Sequence, residues 1–561
     1  MREYRERTLW SLSSTRRSLI HDQAMALLTR TTSCLWVATA CAMVPLTGAG
    51  AQASKPAPPA SGNPVVSSVQ LQRENVFDST ERSMWLARAA NGLHMLTREH
   101  VVQRELLIRE GELYDSAAAA ETARNLRKLE IFRDVTVDSV MTSAGLVQQV
   151  TTRDSWTTQP YVSFKSSGEQ ITWGVGIKEK NLLGRQIQAN IRYTDDPDRS
   201  TLQLSGLFPR IWRNRVGVDG SWEQLSDGKR ANLNVSAPFT SLSTREMVAL
   251  NTRYKNADVL RFYEGDEEAR DTVRHLLSAG MLSAGWATVA SARGYVRVGG
   301  AMQFRREDFT EGLPEDADRS VYGEVGVVAE TSRSEFRVVR AYRGIGAPED
   351  IDLSQTLRVG VWVAPSAWGY ERTGVGPMLT AFLGKGFSKG FATAEVRASS
   401  LFTREGLDSG SVTGRGVLAL LPAPRHTVVL NADIGLQKNS YPGAEFDLGF
   451  TFGPRGFPAH AFTGDRAYFT TAEYRWIVIP NLFKLFGLGI AAFADHGGAW
   501  YSGSPRRTGT DVGMGLRFGS TRTASSKPAT RIDLAHRFAN DVLEDKWVIA
   551  IGAGFPFERV K

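Results

Sequence analysis

Across residues 159–561 the chain alternates apolar and polar residues with period two, and no helical pattern interrupts it. Ile171, Trp173, Val175 and Ile177 alternate with Thr172, Gly174, Gly176 and Lys178. Ile187, Ala189, Ile191 and Tyr193 alternate with Gln188, Asn190, Arg192 and Thr194. The dyad returns at Val296, Val298 and Met302, again at Val321, Gly323 and Val325, and persists to the end of the chain. Successive side chains of a strand point to opposite faces, so this pattern means strands with one apolar face. Turn signals such as Asp195-Asp196-Pro197-Asp198 and Ser226-Asp227-Gly228, and the charged stretch 307–319, separate the segments.

A soluble sandwich would alternate in the same way. Three features point instead to an all-β transmembrane antiparallel barrel: an export signal, aromatic residues at segment ends (Trp222, Trp362, Trp368, Trp476, Trp500), and apolar faces with no helices to cover them. Segments counted from Ile171 number about 19. A barrel with both ends in the periplasm needs an even number. Some segments between Asp271 and Leu430 are therefore expected to be loop hairpins or halves of one long strand.

The N-terminal region reads as export and linker. Residues 34–44 form an apolar core behind an Arg-rich stretch, and Ala49-Gly50-Ala51 and Ala51-Gln52-Ala53 fit small-x-small cleavage. Residues 1–53 are thus expected to be a signal peptide, with Met25 an alternative start. The core falls far short of the ~20 residues of a spanning helix, and Ala38 stands where a lipobox before Cys41 wants Leu. Both cysteines, Cys34 and Cys41, lie in this segment, so the mature chain is expected to have no disulfide. Residues 54–65 are a Pro/Ala-rich linker.

Residues 66–158 differ again. A strand around Val69 and Leu71, a helix over 97–107, and a helix opening at Tyr114-Asp115-Ser116 are followed by strands at 135–140 and 146–152. On the second helix Ala119, Ala123, Leu126 and Leu129 recur at three- and four-residue spacing, a core stripe.

Composition fits this reading and excludes others. Apolar residues make up 42 %, too few for a helical membrane protein but normal for a barrel, whose lumen residues are polar. The net charge of +8 comes from basic residues interleaved with Asp and Glu, which does not make a nucleic-acid surface. There is no Gly-x-Ser-x-Gly, no phosphate loop and no His-Glu-x-x-His, and the eight histidines are dispersed. Asp495 and His496 are neighbours in a strand and point apart, so they share no metal. No enzymatic activity, cofactor or metal is expected.

Several motifs carry a resemblance. Residues 97–100, 104–107, 111–115 and 124–135 resemble a polypeptide-transport-associated (POTRA) domain, and Asn181-Leu182-Leu183-Gly184-Arg185 resembles the turn after the first barrel strand of the bacterial surface antigen superfamily. That POTRA-plus-barrel superfamily includes BamA-like and TamA-like assembly factors and two-partner secretion transporters. Gly453-Pro454-Arg455-Gly456-Phe457 resembles the Arg-Gly-aromatic tip of its sixth extracellular loop, and Phe493-Ala494-Asp495-His496-Gly497-Gly498 resembles the Phe-x-Asp-x-Gly strand that follows. The resemblance spans residues 66–561 in family order and implies one POTRA domain before a barrel of about 16 strands, five of them after the loop. Phe557 would be the aromatic of the terminal strand, with four residues beyond it.

The function so implied is insertion or translocation of polypeptides at the outer membrane, with the POTRA domain in the periplasm. The partners are the bilayer, extended clients that add to the sheet edge at Val135–Val140, and a possible periplasmic partner; no nucleic acid is expected. The alternative is a passive pore or lipid-handling barrel with the POTRA domain as a docking module. The resemblance also implies that the tip folds into the lumen, where Gly456 permits a tight turn, Phe457 wedges the tip, and carboxylates on the wall hold Arg455. Alternation selects them. Tyr468, Thr470, Ala472, Tyr474 and Trp476 share the lipid face, so Glu473 and Arg475 point inward; Leu488 and Ile490 turn Phe493 and Asp495 inward; Asp533 opposes Ile532 and Leu534. Asp495 is the first partner expected for Arg455, then Glu473, then Asp533.

Overall fold

The computed structural model describes residues 63–557 except 78–91, 93, 168–169, 213–214, 263–270, 311–319, 440–442, 450–451, 484, 522–527 and 540–542. The expected signal peptide and nearly all of the linker lie outside the described residues.

The N-terminal unit runs β1 (Val66–Glu74), α1 (Glu99–Gln103), α2 (Ser116–Lys128), β2 (Phe132–Thr142) and β3 (Gly145–Asp154). This is the strand, helix, helix, strand, strand order the sequence suggests. Helix α2 starts where it does because the Asp115 carboxylate caps it, accepting the Ala117 N–H at 2.8 Å. Burial opposes that charge, but the Ala117 N–H and Arg293 outweigh it and hold Asp115 below the usual carboxylate range. The sheet order is β1-β3-β2, with β1 parallel and β2 antiparallel to β3. Val101, Val102, Ala123, Leu126, Phe132, Val135 and Val150 fill the space between helices and sheet. Strand β2 is an edge, and Val140 and Met141 are exposed at its end.

The barrel begins with β4 (Thr158–Ser167), β5 (Gln170–Leu182), β6 (Ile187–Asp195), β7 (Ser200–Trp212), β8 (Val216–Leu225), β9 (Gly228–Ala237) and β10 (Glu246–Arg261). Strands β11 (Asp271–Ser291), β12 (Gly294–Thr310) and β13 (Ser320–Arg333) follow. After an off-wall hairpin, β14 (Phe336–Val339) and β15 (Glu349–Asp352), the wall resumes with β16 (Gln355–Ala364), β17 (Gly374–Phe387), β18 (Gly390–Thr403), β19 (Gly406–Leu420) and β20 (His426–Lys438). Two short strands, β21 (Phe446–Leu448) and β22 (Phe462–Gly464), pair inside the next loop. The wall ends with β23 (Arg466–Leu482), β24 (Phe486–Trp500), β25 (Gly509–Ser520), β26 (Thr530–Arg537) and β27 (Lys546–Ala553). Chain neighbours pair around the circle, and β27 meets β4 to close it.

The barrel therefore has 20 strands, not 16. Five strands follow the Arg455 loop as expected, so the surplus lies before it. The count of about 19 from Ile171 misses only β4. The expected demotion of segments between Asp271 and Leu430 applies to one hairpin alone; the others are wall strands, up to the 21 residues of β11. An even number leaves both ends of the wall at one rim, beside the N-terminal unit. We call this the near rim and the opposite one the far rim.

Outward side chains are apolar right round the wall: Ile177, Trp222, Leu250, Trp286, Phe304, Leu357, Ile434, Trp476, Ile490 and Leu534 are all exposed. A closed wall satisfies its backbone groups internally, and such a belt is the surface of a barrel that sits in hydrocarbon. Trp362 is a correction to the aromatic pattern. Leu357 and Val359 take the outward face of β16, which turns Trp362 inward, 2 % exposed, with its indole N–H 3.2 Å from the Met378 sulfur.

Three segments of the chain enter the lumen. From the far rim enters the loop 439–465, from the near rim the β14–β15 hairpin, and after β27 the chain turns inward at Gly554 (φ +70°). Val339, Tyr342, Leu448, Phe457, Phe462, Phe469, Phe555 and Phe557 from these segments and the wall form one buried cluster. Phe557 thus lies inside the barrel rather than closing the last strand, which ends at Ala553.

Candidate functional site

Alternation along β23, β24 and β26 sets the inner wall around the loop tip. Glu473, Phe493, Asp495 and Asp533 all point inward, and each is nearly or fully buried. Arg455 sits among them with no exposed surface. Its Nε donates to Asp495 Oδ2 at 2.7 Å and one terminal nitrogen to Asp495 Oδ1 at 3.0 Å, a bidentate pair. The other terminal nitrogen donates to Glu473 Oε2 at 2.6 Å and reaches Asp533 Oδ2 at 3.4 Å. The guanidinium carbon lies 3.6 Å from the centroid of the Phe493 ring. Burial works against the Arg455 charge, but Asp495, Glu473 and Asp533 outweigh it and hold the group well above its ordinary pKa.

The two residues after Arg455 have other roles than turn and wedge alone. Gly456 does not have positive φ; the left-handed residue of the tip is Gly453, at +131°. Gly456 is required by close approach, since a Cβ there would sit 3.0 Å from Asp511 Cβ and 3.2 Å from Arg537 Cβ. Its N–H donates to Asp511 Oδ2 at 2.9 Å, and its carbonyl accepts from Arg537 at 3.2 Å. Phe457 is fully buried against Phe462 and lies over Gly509, where a Cβ would come within 2.2 Å of its ring. Gly497 in turn lets β24 pass Phe469, whose Cα is 2.8 Å from the place of a Cβ.

Alternation gives the inward direction of Arg475 but not the convergence of several side chains on these carboxylates. Thr471 donates to Asp495 at 2.5 Å, Arg517 bonds Asp533 at 2.6 Å and pairs with Glu473 at 3.0 Å, and Arg531 bonds Asp533 at 2.8 Å. Arg475 pairs with Glu473 and donates to the Tyr342 carbonyl at 3.1 Å. Arg517 and Arg531 face inward by the same dyad rule, but nothing in their spacing shows that they converge on the carboxylates that hold Arg455.

The loop has a second anchorage. His460 contacts Asp447 Oδ2 through Nδ1 (2.6 Å) and Asp198 Oδ1 through Nε2 (3.1 Å), and stacks on Phe262 with ring centroids 3.5 Å apart. Burial opposes its charge, yet the two carboxylates raise its pKa to about 9. The Ala459 N–H donates to Gln170 Oε1 at 2.8 Å. One loop is thus fixed to β23–β26 through Arg455 and Gly456, and to β5 and the β6–β7 turn through Ala459 and His460. It spans the meeting of β27 and β4. The carboxylates round Arg455 enclose a guanidinium, and among the described residues no His/Cys/Asp/Glu group could hold a metal.

No family model and no curated protein matches the chain. Among solved structures it is similar to CdiB from Escherichia coli (TM-score 0.44, 11 % identity, 94 % of this chain and 97 % of that one). It is also similar to CdiB from Acinetobacter baumannii (0.40, 12 %, 87 % and 73 %) and to BamA from Haemophilus ducreyi lacking POTRA domains 1–3 (0.37, 10 %, 87 % and 84 %). Its structural neighbours are BamA and CdiB barrels. At TM-scores below 0.5 these superpositions are loose, and the architecture rests on the strand order itself.

Proposed function

We propose that this protein is an outer-membrane barrel that inserts or translocates polypeptides, with its N-terminal unit acting as a POTRA domain in the periplasm. The observation that carries the reading is the occupied lumen: segments from both rims and the residues after β27 pack into one core, which disfavours a wide passive bore. A client then has two surfaces to use. The edge strand β2 offers unpaired backbone groups to an extended segment. The junction of β27 with β4 offers a place where the wall can part, and β26 and β27, at eight residues each, are shorter than the about 9–11 residues of a typical spanning strand. The Arg455 latch, on this reading, holds the wall strands beside the junction in place while clients pass. We assign the protein no enzymatic role.

Depletion is the direct test. Loss of other barrels from the outer membrane, or of one secreted partner from the medium, is the expected result. Unchanged outer-membrane and secreted proteins, together with a steady wide conductance of the purified protein in a planar bilayer, would replace this reading with a passive pore.

A further inference from the structure

The near rim is covered by two pieces from different parts of the chain, and we propose that the line where they meet is a gate, closed by Arg127 and Asp350. The proposal concerns access to the lumen and does not depend on what the protein carries.

The first leaf is the N-terminal unit, bound to one arc of the rim. At the β5–β6 turn the Arg98 N–H donates to the Gly184 carbonyl at 2.9 Å and Asn181 donates to Thr97 Oγ1 at 2.8 Å. Arg210, in β7, pairs with Glu105 at 2.9 Å, and the Leu242 N–H, before β10, donates to Glu121 at 2.6 Å. Arg293, between β11 and β12, makes a bidentate pair with Asp115, both contacts at 3.0 Å. These anchors run from β5 to β12.

The second leaf is the β14–β15 hairpin. The Glu349 carboxylate folds its tip by accepting the N–H groups of Tyr342, Arg343 and Gly344 at 3.0–3.2 Å. The hairpin then binds the other arc: Gly384 N–H to Ser354 O at 3.1 Å on β17, Thr427 Oγ1 to Ala341 O at 2.8 Å on β20, and Ala529 N–H to Arg343 O at 2.9 Å before β26. Ile345 packs where Gly487 has no side chain; a Cβ there would come within 2.1 Å of it.

The two leaves touch through side chains. Arg127 of α2 donates from Nε and a terminal nitrogen to the two oxygens of Asp350, both at 2.6 Å, and the Arg124 guanidinium lies 4.3 Å from the centroid of the Phe336 ring. Each leaf is tied to its own arc by several hydrogen bonds and ion pairs, whereas the contacts across this line are one ion pair and two cations, Arg124 and Lys128, over the Phe336 ring. The pair is largely buried while the leaves touch, and parting them returns both charges to water together, so neither is stranded and neither leaf need unfold. A cavity of about 410 Å³ follows the line, and one of about 610 Å³ lies within the lumen beyond it. Tyr295, Arg343, Asp350 and Thr356 line both. Separation of the leaves would join the two cavities to the space outside the near rim.

The test uses the full chain with Arg127→Asp, Asp350→Arg and the two combined, each first checked for a heat-modifiable folded barrel. Each single reversal should speed reaction of a Thr356→Cys thiol with a charged, membrane-impermeant reagent added from the near-rim side about tenfold. The combined swap should restore wild-type closure. If a reversal blocks folding, Arg127→Gln replaces it with the same expectation. Folded single variants whose thiol labels like the wild type overturn the gate, as does a combined swap that labels as fast as either single change.

Discussion

Removing the Arg455 side chain tests the latch on energetic grounds. Arg455→Ala deletes both side-chain contacts to Asp495 and the contact to Glu473. The losses are unequal. Glu473 keeps Arg475 and Arg517, and Asp533 keeps Arg517 and Arg531, but Asp495 is left with the Thr471 hydroxyl and the residue-455 N–H, which lies at 3.3 Å. One buried carboxylate is therefore stranded, and breaking a buried pair from one side typically costs about 3–5 kcal/mol. The remaining hydrogen bonds put this case near the lower end. Asp495→Asn removes the charge that would be stranded, so the double variant should be less damaged than the sum of the singles, with a coupling of about 2–3 kcal/mol. The measurement is the urea midpoint of the compact, heat-modifiable form in detergent micelles for wild type, both singles and the double. Additivity within about 0.5 kcal/mol, with a wild-type loop already open to protease, would show that no latch exists.

Four further outcomes are expected. The His460 pKa is raised from 6.5 to about 9, so its contribution is fully present below pH 6.5 and is lost as pH rises through 9, up to about 3 kcal/mol; protease clipping of the loop should increase over that window, and His460→Asn should abolish the pH dependence. Gly456→Ala forces its Cβ toward Asp511 and Arg537 and should cost about 1–3 kcal/mol in the urea midpoint, with Gly509→Ala worse because its Cβ would fall 2.2 Å from the Phe457 ring. Thr136→Pro on β2 should reduce crosslinking to extended clients while the barrel stays folded; unchanged crosslinking would move the client site elsewhere. Mass spectrometry of the envelope protein should find its N-terminus between Ala51 and Ser54.

The fold was legible where a local period decides it. Alternation marked the wall from Ile171 onward, and three- and four-residue spacing marked α2, because burial on one face acts on every residue of such elements. The strand total follows the period, which gives about 19 segments from Ile171, and not the resemblance, which implies about 16. The motifs that carry the resemblance sit in the N-terminal unit, at the first barrel turn and after residue 453, and they constrain none of the wall between Ile187 and Lys438. A barrel can gain hairpins in pairs there without disturbing the five strands that follow the loop, since each pair restores both ends to the same rim.

The site shows the same division between local and nonlocal information. The inward direction of Glu473, Asp495 and Asp533 follows from their own strands, and all three lie around Arg455. What the strands cannot announce is which segments enter the lumen to meet them. Spacing does not mark residues 334–354 as lumenal, and Phe557 reads as the aromatic of the terminal strand, yet the hairpin and the residues after β27 fold inside and converge on Arg475, which donates to the Tyr342 carbonyl at 3.1 Å and stacks 3.8 Å from the Phe555 ring centroid. Arg475 pairs with Glu473, and Glu473 with Arg455. A single buried carboxylate thus links the loop from the far rim to the hairpin from the near rim. A change at either rim that displaces Glu473 alters the charge balance felt at the other, because both arginines are buried and share that carboxylate.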